Sequence, residues 1–409
     1  MIIVTLKQIR ELRMKAYLII SNLSDDTRDV REYIDSYLKR LSSLAGMTFE
    51  LGTLEQVIEQ GVALYFVGTG GSEPSFKRDY TKTPGPYYLL TIPPFNSLPA
   101  ALEISGYLKS INEKVEILHG ADEVVASRLK NIFICAKAKA NLAKSKIGAI
   151  GDNIGLIAST ANPAVTKKTL NMETVQISLD ELVSEYHKGG YEANTFTEEL
   201  KKHPFDKVEL EKALNVYGAS QRLIKKYALN GLTIKCFDLL SMIKTTGCLA
   251  LAIFNAQGIP AACEGDTKTL ISMMVATAVT GQSSFMANPC SVDKDTDEMI
   301  FAHCTIPLDF IDTYNLVTHY ESGIGVAVSA DMAPRTVTVF KCDETMKTWY
   351  VDRAQLVETT HKADLCRTQM TIKLEHGSRY FLDNAVCNHH IIIPGDYYDA
   401  LNAFMKEFN

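Results

Sequence analysis

The segment Cys263-Glu264-Gly265-Asp266 places two carboxylates where a predicted parallel strand ends and a helix begins. Ligands bind at this edge of open α/β sheets. Two carboxylates at that edge could hold a metal ion or transfer a proton. The alternative interpretation is structural, because aspartate is a common N-cap residue and Asp266 would then cap the helix that follows.

Histidines in two later segments are further candidates for metal chemistry. His303 lies in a predicted strand with apolar residues on the same face, a setting that is also typical of a hydrogen-bonded core histidine. Asn388-His389-His390 opens the final predicted strand, and strand alternation sends its two histidines to opposite faces. At most one of the two therefore shares a site with Asn388. Paired histidines on so short a strand indicate one metal ligand.

Two groups of glycines follow predicted strands and could cradle a phosphate. The first is Gly68-Thr69-Gly70-Gly71, which is followed by Pro74 and a basic pair and not by a clean helix pattern. The second comprises Gly148, Gly151 and Gly155, whose spacing differs from the dinucleotide-binding pattern. Both groups are therefore interpreted as tight turns of an α/β domain.

The secondary-structure elements that must position these residues follow two sequence patterns. Up to about residue 284, short apolar strands alternate with helical patterns, which favours parallel sheets covered on both faces. A second series of alternating strands and helices starts near Lys146, so a domain boundary is predicted near residue 145. These strands are predicted at Ala16–Ile20, Ala63–Val67, Tyr87–Thr91, Val115–Leu118, Ile147–Ile150, Val175–Ser178, Thr233–Phe237 and Pro260–Cys263.

Beyond Ser284 the pattern changes to strands with few helices between them, closed by a helix at Tyr397–Phe408. The predicted fold class is α/β, with two doubly wound α/β domains (1–145 and 146–290) followed by a β-rich, barrel-like C-terminal domain (291–409). Strands of this last domain are predicted at Ser284–Met286, Glu298–Thr305, Gly325–Ser329, Thr336–Lys341, Thr348–Val357, Thr368–Leu374 and Asn388–Ile393.

Length and composition exclude several classes of protein. The chain has 409 residues, of which 46% are apolar and 22% charged, so it is a multidomain globular protein and not a disordered one. A net charge of −6 without a basic cluster argues against nucleic-acid or anionic-membrane partners. No apolar run reaches the roughly 20 residues of a membrane span.

Nine scattered cysteines without a Cys-x-x-Cys pair indicate a reducing, cytoplasmic compartment. Residues before Met14 are interpreted as an upstream extension.

Six segments carry a pattern that extends over roughly residues 90–396. They are Asn96–Glu103, Gly258–Asp266, Phe285–Pro289, Ala302–Pro307, His319–Gly323 and Asn388–Asp396. Taken together, they resemble the L-fucose/L-arabinose isomerase superfamily, and most closely its shorter fucose isomerase-like members. The resemblance implies two α/β domains and a β-rich third. It also implies interconversion of aldoses and ketoses with a divalent metal, usually manganese, at a site that a neighbouring subunit of a homotrimer or hexamer often completes.

The same resemblance, together with the chemistry of these side chains, predicts roles for individual residues. The metal ligands would be Glu264, Asn288, His303 and His390. Catalysis would involve Glu264 and Asp266, and the substrate-binding residues would be Asn96, Ser97, Glu321, Asn388 and His389.

Asn288 departs from the family pattern, because the second carboxylate is expected at this position. An enediol reaction removes a proton from one carbon and returns it to the next, for which two carboxylates can serve as base and acid. An asparagine can offer an oxygen to a metal, but it cannot accept a proton at neutral pH. Either Asp266 or Glu321 takes the missing role, or the reaction differs from that of the family.

Three hypotheses follow from these residues. The first is a metal-dependent aldose–ketose isomerase that acts through an enediol. The second is a carbohydrate-binding relative that has lost the isomerase chemistry, which the missing carboxylate motivates. The third is another metal-dependent enzyme of sugar metabolism, such as an aldolase or epimerase that stabilises an enediolate.

Overall fold

The computed structural model describes residues 12–21, 28–151 and 156–408. The predicted extension before Met14 falls mostly, and Gly155 entirely, outside these residues. The chain divides into two units, one ending at Lys137 and the other beginning at Ala138. Among the described helices, none combines the length and the apolar character that a membrane crossing requires.

The first unit is built on a five-stranded parallel sheet with strand order β2-β1-β3-β4-β5. Its strands are β1 (Arg13–Ile19), β2 (Thr48–Gly52), β3 (Ala63–Val67), β4 (Tyr87–Leu90) and β5 (Val115–Leu118). Its helices are α1 (Arg28–Ala45), α2 (Leu54–Gln60), α3 (Glu73–Asp79), α4 (Ser97–Ser110) and most of α5 (Asp122–Leu142), whose last residues belong to the second unit.

Strand β3 shows why this sheet is covered on both faces. All five of its side chains are buried, and alternation sends them into two separate apolar cores. Leu64 and Phe66 enter one core, whereas Ala63, Tyr65 and Val67 enter the other. The uninterrupted apolar sequence of β3 is therefore the signature of a strand between two helical layers.

The glycine-rich segment after β3 is a tight turn. Gly71 adopts a φ of 75°, which favours glycine. The amide of Gly70 donates to the backbone oxygen of Phe95, so it is already engaged within the fold.

The second unit begins with a four-stranded parallel sheet of order β7-β6-β8-β9. Its strands are β6 (Lys146–Ile150), β7 (Glu173–Ile177), β8 (Gly231–Ile234) and β9 (Ala261–Ala262). The helices of this part are α6 (Pro163–Leu170), α7 (Leu179–His187), α8 (Thr195–Leu200), α9 (Lys207–Tyr227), α10 (Cys236–Met242), α11 (Cys248–Ala256) and α12 (Thr267–Thr280).

A closed barrel of six strands follows in the same unit, with the order β10-β11-β16-β15-β14-β17. The last strand, β17, completes the closure by pairing with both β14 and β10. The remaining strands are β10 (Phe285–Asp293), β11 (Glu298–His303), β12 (Thr313–Val317), β13 (Ala327–Asp331), β14 (Arg335–Cys342), β15 (Trp349–Thr360), β16 (Thr368–Leu374) and β17 (His390–Pro394). Two helices, α13 (Tyr380–Asp383) and α14 (Tyr398–Lys406), complete the list.

The predicted fold class is confirmed, since two parallel α/β sheets precede a closed β-barrel. Two strands, β2 and β12, were not predicted. Strand β12 pairs only with β13, and Leu316 is its one buried residue, so its sequence lacks apolar alternation. The four-stranded sheet and the barrel share one unit, and the boundary at residue 290 stays a prediction.

Candidate metal centre

The turn between β9 and α12 presents Glu264. This residue adopts a φ of 61° and the following Gly265 a φ of 70°. The turn is held by backbone bonds from Gly265 to Ile234 and from Asp266 to Cys263, each 3.1 Å long. A left-handed conformation costs a residue with a side chain about 1–2 kcal/mol. Such strain is characteristic of functional sites, where the surrounding structure imposes it.

Glu264 meets two histidines from the barrel. His303 is the last residue of β11, and His389 immediately precedes β17. The Nε2 atom of His303 lies 3.5 Å from Oε1 of Glu264, and Nε2 of His389 lies 3.6 Å from Oε2. One potential ligand atom from each of the three residues lies within 4.8 Å of the others. We call this group the Glu-His-His cluster.

The other ring nitrogen of each histidine is already engaged. Nδ1 of His303 is 3.1 Å from the Thr305 hydroxyl, and Nδ1 of His389 is 2.8 Å from Oδ2 of Asp266. Because an ionised carboxylate only accepts hydrogen bonds, Nδ1 of His389 must be the donor, so Nε2 is the nitrogen that could bind a metal. This carboxylate–histidine arrangement is the usual support of a metal-bound imidazole.

Both Nε2 atoms are buried, and neither has a hydrogen-bond partner among the described residues. Burying a polar atom without a partner costs about 1–3 kcal/mol, so an orphaned nitrogen calls for a ligand. Here the nitrogens of His303 and His389 both face the carboxylate of Glu264. A cation placed between them would satisfy all three groups.

Asp266 is fully buried directly behind His389. Besides His389, its carboxylate accepts bonds of 2.7 Å from both the amide and the hydroxyl of Thr269. Burial favours the neutral acid, but the charge of Lys341 and these hydrogen bonds outweigh it, so the pKa of Asp266 lies below its ordinary value. Asp266 therefore caps α12, as its alternative interpretation predicted, and at the same time orients His389.

The charges of the cluster are strongly coupled. Burial opposes ionisation of Glu264, but His303 and His389 overcome this effect and lower its pKa. Burial would likewise lower the pKa of His303, and the carboxylate of Glu264 reverses the effect and raises it. In the absence of a metal, Glu264 and His303 thus stabilise each other as an ion pair.

The donor set and the two distances from Glu264 to the histidines fit a divalent metal ion. Two ligands at about 2.1 Å from one ion lie roughly 3.0–3.4 Å apart in octahedral or tetrahedral geometry. The observed 3.5 and 3.6 Å are within a few tenths of an ångström of that range. Two imidazoles and one carboxylate suit manganese, iron, cobalt or zinc. Three protein ligands leave positions open, as in catalytic metal sites.

His390 lies on the other side of its strand, as alternation predicts. Its Nε2 is 3.0 Å from the Tyr380 hydroxyl, its Nδ1 is 3.0 Å from the backbone oxygen of Asn388, and its ring packs on Phe381. Burial and then the charge of Lys341 lower its pKa to about 3. The structure therefore places His389, and not His390, in the Glu-His-His cluster, whereas the family resemblance implied His390 as the ligand.

The remaining predicted residues of the second unit lie near the cluster in different ways. The amide nitrogen of Asn388 donates to the side-chain oxygen of Asn288 over 2.7 Å. The charge of Glu321 contributes to the raised pKa of His303, and it opposes the burial that lowers the pKa of His319.

Asn96 and Ser97 belong to the first unit, at the beginning of α4. The hydroxyl of Ser97 is buried and bonded to the backbone of Val67 and Ile92. This pair of bonds joins α4 to its sheet, so the contacts of Ser97 are structural.

Two residues that support the cluster were not predicted. Thr305 holds His303, and Lys341 is a fully buried lysine whose charge acts on Asp266. A signal for Lys341 exists in the sequence, because alternation puts it on the same face as Val337 and Val339. A lysine on an apolar strand face is rarely buried without a charged partner.

Comparison with known proteins gives limited similarity. No protein-family model matches the chain. A sulfoquinovose isomerase from Clostridium sp. (strain MSTE9) is 29% identical over 92 residues, which cover 22% of this chain and 21% of that relative. The match thus spans about a fifth of the relative's length, and it links part of the chain to a sugar isomerase. A solved structure, D-threo-3-hydroxyaspartate dehydratase from Delftia sp. HT23, aligns over 97% of this chain and 93% of its own with a TM-score of 0.12 and 11% identity.

Proposed function

We propose that this protein is a metal-dependent aldose–ketose isomerase of the L-fucose/L-arabinose isomerase type, with Mn²⁺ held by Glu264, His303 and His389. The observation that carries the proposal is the pair of buried Nε2 atoms that face one carboxylate without a hydrogen bond. The partial match to a sugar isomerase supports the choice of reaction. A mixed oxygen and nitrogen donor set supports manganese as the metal.

The residues divide the chemistry as follows. A bound divalent ion polarises the sugar carbonyl and stabilises the negative charge that develops on its oxygen. Glu264 brings the one anionic ligand, while Thr305 and Asp266 hold the two imidazoles in position. Asn288 and Asn388 present amide groups that can bond sugar hydroxyls.

Proton transfer requires a base that is not consumed as a ligand. Asp266 is unsuited to this role, because its oxygens are engaged by His389 and Thr269. We assign the role to Glu321, whose charge reaches His303. Its carboxylate would take the proton from C2 of the aldose and return it to C1, while the proton of the C2 hydroxyl passes to O1, so that an enediol lies between the two sugars.

The decisive experiment is NMR in deuterated water. The purified protein is loaded with Mn²⁺ for turnover of an aldose panel, and the products are freed of the paramagnetic ion before their spectra are recorded. Interconversion with deuterium incorporated at C1 or C2 is expected. Glu264→Gln should abolish turnover, whereas Glu358→Gln, the same change at an exposed glutamate of β15, should not. A Glu264→Gln variant that converts the sugar at the wild-type rate would refute the assignment.

A carbohydrate-binding protein without isomerase activity is the second candidate. The pair of amides at Asn288 and Asn388 favours it, because no carboxylate stands at Asn288. Sugar-dependent thermal stabilisation without turnover of any aldose would support this function, and Asn288→Asp should then generate activity. Products of carbon–carbon cleavage in the same assay would instead indicate an aldolase.

Two further expectations belong to this proposal. We propose a homo-oligomer, a trimer or hexamer, which light scattering on the purified protein would test. All nine cysteines are free thiols, which supports a reducing, cytoplasmic compartment. Localisation of the tagged protein in cells would check it.

A further inference from the structure

Lys341 is a fully buried cation in the wall of the barrel. It lies in β14, and its side chain is completely shielded from solvent. Its Nζ atom donates to the hydroxyl of Thr269 over 2.5 Å. Placing an ammonium group in the protein interior is costly unless an anion compensates its charge. The carboxylate whose pKa its charge lowers is that of Asp266.

The bonds between Lys341 and the cluster form one directed chain. An ammonium can only donate, so the Thr269 hydroxyl accepts from Lys341 and turns its own proton toward Oδ2 of Asp266, 2.7 Å away. The same carboxylate oxygen accepts from Nδ1 of His389 over 2.8 Å. The donor of each bond in the chain is thereby fixed, and His389 turns its Nε2 toward Glu264.

From this chain we propose that Lys341 is a positioning residue of the metal site. Its ammonium, acting through Thr269 and Asp266, keeps His389 in the tautomer and orientation that bind a metal. The proposal rests on the metal site of the proposed function and is independent of the sugar reaction.

Charge gives the same assignment a second basis. Glu264 and Asp266 bring two carboxylates to His389, at 3.6 Å from its Nε2 and 2.8 Å from its Nδ1. Lys341 neutralises the one that makes no contact with the metal position. Without this ammonium, the buried Asp266 would lose its compensating cation. Its hydrogen bond to Nδ1 of His389 would then hold the imidazole less firmly.

The test is a Mn²⁺ titration in which electron paramagnetic resonance measures the free ion. Lys341→Met keeps the length of the side chain and removes its charge. Loss of such a supporting partner weakens metal binding about 10- to 100-fold in other metal sites, and we expect an effect of this size. Val339→Ala is the matched control, because Val339 is equally buried on the same face of β14 but lies outside the chain of bonds.

A double-mutant cycle separates positioning from packing. If Lys341 acts through Asp266, then Lys341→Met should weaken Mn²⁺ binding no further in an Asp266→Asn background. If each substitution weakens Mn²⁺ binding by a factor and the two factors multiply in the double variant, Lys341 supports the site independently of Asp266. That result would overturn the proposal. Wild-type affinity in Lys341→Met would overturn it as well.

A metal-free measurement completes the test. Nitrogen-15 spectra of histidine rings should show His389 with a protonated Nδ1 in the wild type and a changed tautomer in Lys341→Met. If Lys341→Met fails to fold, Thr269→Val breaks the same chain, and unchanged Mn²⁺ affinity in that variant would refute the proposal. Absence of Mn²⁺ binding in the wild type would instead refute the metal site, while the histidine spectra would still test the chain of bonds.

Discussion

Metal-dependent stabilisation is the most direct test of the Glu-His-His cluster. Its residues are at positions 264, 303 and 389, so an unfolded chain does not hold them together, and a metal binds almost exclusively to the folded protein. At a Mn²⁺ concentration of 100 times Kd, linkage predicts about 2.7 kcal/mol of added stability. For a unit of this size, about 2–4 °C accompany each kcal/mol. The melting temperature should therefore rise by about 5–11 °C.

The assay is thermal unfolding followed by circular dichroism, with protein first stripped of metal by a chelator. Glu264→Gln keeps the shape of the side chain but removes the only anionic ligand, so its shift should vanish at the same Mn²⁺ concentration. Glu358→Gln should retain the full shift. A wild type that shows no shift up to millimolar Mn²⁺, or a Glu264→Gln variant that keeps it, would show that the cluster is not a metal site.

Three further predictions concern the same residues. His389→Gln should abolish Mn²⁺ binding in the titration, whereas His390→Gln should cost about 1–3 kcal/mol of stability and leave binding intact. In urea unfolding without metal, Glu264→Gly should be about 1 kcal/mol more stable than Glu264→Ala, because glycine relieves the left-handed strain; the reverse order would contradict that strain. The raised pKa of His303 makes protons compete with the metal, so the thermal shift caused by Mn²⁺ should grow from about pH 6.5 upward. The metal-free protein should show the opposite sign, since a raised histidine pKa contributes stability at low pH that is lost as the pH rises through it. The check is to measure the melting temperature against pH with and without Mn²⁺. If the two curves run parallel, His303 plays no part in metal binding.

The fold could be predicted where the residues of a single strand are enough to show how that strand is packed. Strand β3 is apolar at every position because both of its faces are buried, so its sequence alone places it inside a covered sheet. Strand β12 has one buried residue and is defined by its pairing with β13, which is not encoded locally.

The site was predictable only in part, because its decisive contacts link distant residues. The sheet-edge rule pointed to Glu264, and alternation separated His389 from His390. Alternation does not say which of the two faces the metal position. That choice depends on the bond from His389 to Asp266, which spans 123 positions of the chain.

Closure of the barrel has a consequence for how the site is assembled. Strand β17 fits between β14 and β10, so the first and last strands of the barrel must both be in place before His389 can approach Glu264. Pairing of segments so far apart is intrinsically slow. Metal binding would consequently mark the final stage of folding. A folding intermediate with an open barrel would not bind manganese, even when most of its secondary structure had formed.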